Sequence, residues 1–95
     1  MAVSPKKRID EKKEITVGTV VLSLAGRDRG RTMLVIARES EYLFLADGKT
    51  HTLGQPKKKQ IKHVKPLIDG PMFVSIPETD QALRDCLHAL SNTMS

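Results

Sequence analysis

Val17-Gly18-Thr19-Val20-Val21-Leu22-Ser23-Leu24-Ala25-Gly26-Arg27-Asp28-Arg29-Gly30-Arg31 is the stretch that decides the fold. β-Branched and aliphatic residues run from Thr16 to Leu24 and stop at a turn bounded by Gly26 and Gly30, the pattern of a strand entering a hairpin. Gly26 suits that turn because glycine takes a positive φ without steric cost. Gly30 permits a close backbone approach or a bulge where the next strand begins. Arg27, Arg29 and Arg31 then project from a tight turn.

Downstream, Met33, Leu34, Val35 and Ile36 mark a second strand over 32–38, and Glu39-Ser40-Glu41 is a polar connection of hairpin length. A third strand, 42–46, is stopped by Asp47-Gly48. Side chains alternate with a period of two, so Tyr42 and Phe44 share one face and Leu43 and Leu45 the other. One pair belongs to the core and the other is partly exposed; the rings are read as core. Residues 49–59, with Gly54 and Pro56, read as a loop, and Ile61, Val64 and Leu67 as a short closing strand bounded by Pro66. Three strands and a closing one predict a mainly β fold, a small SH3-like barrel over 16–68.

The flanks differ. Residues 1–15 alternate charge sign without hydrophobic periodicity and read as a flexible basic arm. Residues 69–95 read as a linker and a C-terminal α-helix, because Ala82, Leu83, Cys86, Leu87 and Leu90 recur at helical spacing. Thr79 is placed to cap that helix, and Pro77, Glu78 and Asp80 suit its first turn. A helix this short is not stable alone in water, so its stripe must pack on the barrel or on a partner, with Phe73, Val74 and Ile76 leading into the contact.

Ninety-five residues suffice for one domain, and with 39% hydrophobic but only 3% aromatic residues its core must be mainly aliphatic. The lone Cys86 has no internal disulfide partner, and no apolar run approaches the roughly 18 residues that span a bilayer. The N-terminus has a charged start without an apolar segment behind it, so no secretory signal or membrane is expected, and the cytoplasm is the expected compartment. The net charge of +5 is concentrated: residues 49–65 carry six lysines and no acid. Clustered cations release counterions from phosphates, which points to a polyanion, although a lysine-rich loop also serves solubility.

Set out as strand, turn and strand, residues 17–31 resemble the KOW motif. They are similar in particular to the KOW domains of large-subunit ribosomal proteins of eukaryotic and archaeal type. Asp47-Gly48 after Leu43-Phe44-Leu45, and Ile61-Lys62-His63-Val64-Lys65-Pro66-Leu67, extend the likeness to about fifty of the 95 residues. The resemblance implies an SH3-like barrel that binds structured RNA, often within a ribosome or a transcription or translation assembly.

The residues expected to contact RNA are Arg27, Arg29, Arg31, Lys49, Lys57, Lys58, Lys59, Lys62, His63 and Lys65. A guanidinium binds two phosphate oxygens at once, whereas lysine acts as a mobile point charge. The scarcity of rings argues against single-strand readers and proline-rich peptide binders, and for folded or double-stranded RNA recognised by shape and backbone. The expected partner is RNA, ribosomal or translation-associated, together with ribosomal or other translation proteins. No enzymatic activity, cofactor, metal or small-molecule substrate is expected. His51 and His63 lack zinc-site spacing, Cys86 and His88 would point about 200° apart on a helix, and no phosphate-cradling glycine loop occurs. The alternative is a protein-interaction module with a solubilising basic loop.

Overall fold

A computed structural model describes residues 15–67 and 75–94. Five strands, β1 (Val20–Ser23), β2 (Thr32–Glu39), β3 (Tyr42–Ala46), β4 (Lys57–Gln60) and β5 (Val64–Pro66), form one antiparallel sheet in the order β4-β3-β2-β1-β5. A 3-10 helix, Ile61–His63, joins β4 to β5, and α1 (Asp80–Met94) follows. The architecture is mainly β with one C-terminal helix. The sheet is open, yet its two edge strands are consecutive in sequence and separated by only the 3-10 turn, so the sheet must curl.

The predicted strands 32–38 and 42–46 agree with β2 and β3, which meet in a hairpin with Glu39 opposite Tyr42. Two expectations about where strands and core begin are corrected. Residues 57–59 are not loop: they begin β4, pairing Lys57 with Leu45, Lys58 with Phe44 and Lys59 with Leu43. A lysine run has little intrinsic strand preference, but pairing against the apolar β3 supplies both the hydrogen bonds and the burial that propensity lacks. Ile15, assigned to the arm, is 1% exposed and part of the core, and its carbonyl accepts a 2.8 Å hydrogen bond from Arg38 Nη1. The rest of the predicted arm, and Phe73 and Val74 of the linker, lie outside the described residues.

The two faces of the sheet carry separate apolar clusters. One joins Ile15, Val21, Met33, Val35, Leu43, Leu45, Ile61 and Val64. The other sets Val20, Leu34 and Ala46 against Leu83 and Leu87 of α1. Leu43 and Leu45 are therefore the buried pair of β3. The expectation that the rings take that place is corrected, since Tyr42 and Phe44 stand half-exposed on the opposite face. A register shift between Val35 and Ala37 leaves Ile36 as an extra residue that packs toward the helix-covered cluster.

The helix docks as its stripe requires. Thr79 Oγ1 accepts from the Ala82 N–H at 3.1 Å, the expected cap. Asp80 Oδ1 accepts from the Leu53 N–H at 2.8 Å, and Arg84 Nη1 donates to the Gly48 carbonyl at 2.5 Å. Gly48 has φ +79°, and a Cβ there would meet the Asp80 carbonyl oxygen, so the closeness of helix and turn depends on glycine. No helix among the described residues is long and apolar enough to cross a membrane.

Candidate nucleic-acid interface

The turn between β1 and β2 is shaped by its own backbone. Gly30 N–H donates to Ser23 O at 2.8 Å, Ser23 N–H to Arg31 O at 2.9 Å, and Arg31 N–H to Asp28 O at 2.9 Å. Gly26 and Gly30 supply the positive φ values, +85° and +88°. Within it, Asp28 turns inward while Arg27 and Arg29 point to solvent.

Asp28 is held from two sides. Ser23 Oγ donates to its Oδ1 at 2.9 Å and Lys59 Nζ at 2.8 Å, and the same ammonium reaches Ala25 O at 2.7 Å. Asp28 Oδ2 is buried without a partner among the described residues. Burial works to raise the Asp28 pKa, but the hydrogen bonds from Lys59 and Ser23 and the charge of Lys59 outweigh it and hold the carboxyl below its ordinary value. Leu24 N–H donates to His63 O at 2.8 Å, so β4 and the 3-10 helix both clasp the base of the turn.

Arg31 belongs to a second junction. Its Nη1 lies 3.3 Å from Asp47 Oδ2 and 3.0 Å from Thr50 Oγ1, with the side chain 46% exposed. Asp47 Oδ1 meanwhile accepts the N–H groups of Lys49 and His51 at 2.8 and 2.9 Å, which closes the turn that follows β3. Burial pushes the Asp47 pKa up. The backbone donors from His51 and Lys49, the charge of His51 and the Arg31 guanidinium together bring it below its ordinary value.

The residues expected from the sequence thus fall into groups. Arg27 and Arg29 on the turn are exposed, as are Lys57, on the same side of β4 as Lys59, and Lys62, which precedes the half-buried His63 whose carbonyl holds Leu24. Arg31 and the exposed Lys49 share the Asp47 junction. Lys65 is exposed on the edge strand β5, opposite Leu22. Lys58 leaves the rim for the sheet's outward face, with Nζ 4.7 Å from the Tyr42 ring centre and 5.9 Å from that of Phe44. Lys59 is 8% exposed and committed to Asp28, so in this arrangement it offers no charge to a phosphate.

Sequence reasoning missed Asp28 as the counter-ion of Lys59. The available signal was an acid set between two arginines, together with the period-two parity of a lysine run read as strand. Arg84, which ties the helix to Gly48, carried no distinguishing signal beyond its place on the predicted helix. No protein-family model matches the chain, and no curated protein matches it.

Proposed function

We propose that this chain is a non-enzymatic RNA-binding module of KOW type, built on an SH3-like barrel, that contacts the phosphate backbone of structured RNA in a ribosomal or translation-associated, cytoplasmic setting. The return of the last strand to β1 after a single 3-10 turn supports the SH3-like reading. Contacts come from Arg27, Arg29, Arg31, Lys49, Lys57, Lys58, Lys62, His63 and Lys65.

The observation that carries this reading is the clasp beneath the arginine turn. Lys59 and Ser23 fix Asp28, and with it the backbone that presents Arg27 and Arg29. A turn fixed before binding loses less conformational freedom on meeting a phosphate strand than a mobile loop would. Residues of this kind position a backbone rather than read a sequence. The competing reading, a protein-docking module, would use the stripe of α1, but Leu83 and Leu87 of that stripe are spent on the sheet.

The test is electrophoretic retardation of a ribosomal RNA fragment across salt. Six phosphate contacts would weaken binding by roughly a thousandfold between about 50 and 200 mM salt. Charge reversal at Arg27, Arg29 and Arg31 should abolish the complex. Failure to bind RNA at low salt would overturn the proposal, and capture of a protein partner that survives the charge reversal would favour the docking module.

A further inference from the structure

Beyond phosphate contact, and resting on the RNA reading above, we infer that Tyr42, Phe44 and Lys58 form a stacking site for an unpaired nucleobase of the bound RNA. The chain has one tyrosine, two phenylalanines and no tryptophan. Phe73 lies outside the described residues. Both remaining rings stand side by side on a surface, while the buried apolar core among the described residues contains no ring. Rings bury more apolar area than any other side chain, so placing two at a half-exposed site leaves a large stabilisation unused in the core.

Among the described residues, the topology leaves this surface partly open. Tyr42, Phe44 and Ala46 share one face of β3, and α1 packs Leu83 and Leu87 at the Ala46 end. Across the ladder, Phe44 pairs with Lys58 and Tyr42 with Gln60, which brings the lysine stem and the amide to the same face. Gln60 Nε2 donates to the Tyr42 hydroxyl at 3.2 Å and so restrains the ring.

Lys58 occupies the ring faces in the free protein. A cation over a partly exposed ring is held more weakly than a base stacked on it, and the ammonium rides on a flexible four-carbon stem. A base therefore displaces Lys58, which swings to the adjoining phosphate. Glu39, opposite Tyr42, disfavours a phosphate at the far end and so sets the base, rather than the backbone, over the rings. A ring face bearing Lys58 complements a phosphodiester chain better than a proline-rich peptide, which has no negative charge to meet it.

Tyr42 is the sole tyrosine and tryptophan is absent, so the intrinsic fluorescence of the full chain reports on this site alone. A short single-stranded RNA should quench it strongly, and a fully paired RNA duplex of the same length should bind with little quenching. Tyr42→Leu and Phe44→Leu should each weaken single-strand binding by about tenfold while duplex affinity is retained, and Tyr42→Phe, which keeps the ring, should bind as the parent does. Tyr42 emission unchanged at saturating single strand, or equal losses for both RNAs in the Leu variants, overturns the stacking site and leaves the phosphate reading standing. Quenching by a proline-rich peptide but not by RNA also overturns it. If neither RNA binds at low salt, both this inference and the proposed function fall together.

Discussion

Lys59 Nζ lies 2.8 Å from Asp28 Oδ1, a buried ion pair that joins β4 to the β1–β2 turn across 31 residues of sequence. Its two side chains are 7% and 4% exposed, so neither charge is hydrated well enough to stand alone.

Removing one partner should therefore cost far more than the pair itself contributes. Asp28→Ala strands the ammonium, Lys59→Met strands the carboxylate, and each should lower stability by about 3–5 kcal/mol. The double variant Asp28→Ala, Lys59→Met removes both charges and should recover most of the loss. Urea unfolding of the two singles and the double, read as a thermodynamic cycle, measures this directly.

Acid should weaken the fold in a defined window. Asp28 and Asp47 both titrate below their ordinary value when folded, so the unfolded chain takes up protons first as pH falls. Their contribution is fully present above the unfolded value of about 3.9 and is lost as pH drops through the lower folded values. The urea midpoint should hold steady from neutral to about pH 5 and decline below that. Asp28→Asn should flatten that decline.

Gly48→Ala should loosen the helix. The left-handed backbone conformation alone costs a residue with a side chain about 1–2 kcal/mol, and the new methyl group also meets the Asp80 carbonyl. Reduced hydrogen-exchange protection across α1, with β1–β3 protected as before, is the expected signature.

Leu83→Ala probes the same junction from the other side. Leu83 is fully buried against Val20, Leu34 and Ala46, and truncating such a leucine costs about 2–5 kcal/mol. Loss of helical circular dichroism at a lower temperature than loss of the sheet would show that α1 depends on this contact, as a short helix must.

Much of the fold is legible in the sequence because local signals and tertiary demands agree there. Alternation marks β2 and β3, Asp47-Gly48 ends the hairpin, and the 3-4 stripe with Thr79 gives α1 and its cap. The misses share one physical origin. Lys57–Gln60 becomes a strand only because β3 offers it a ladder, and Lys59 is buried only because Asp28 awaits it; each depends on a partner far along the chain. Ile15 hides for a similar reason, since one apolar residue after a charged run carries no periodicity. At the candidate site, the outward course of Arg27 and Arg29 follows from the turn itself, whereas the diversion of Lys58 onto two rings required the register of β4.

The edge strand β4 has a further consequence for how the molecule coexists with its own copies. An outermost strand offers unpaired backbone groups to any other extended chain, which is the route to edge-to-edge aggregation. Here that border carries consecutive lysines, so two copies approaching in register would bring like charges face to face. The same charges thus also act as gatekeepers of colloidal behaviour. Neutralising Lys57 and Lys58 to test the proposed RNA contact would at the same time remove the molecule's guard against self-association.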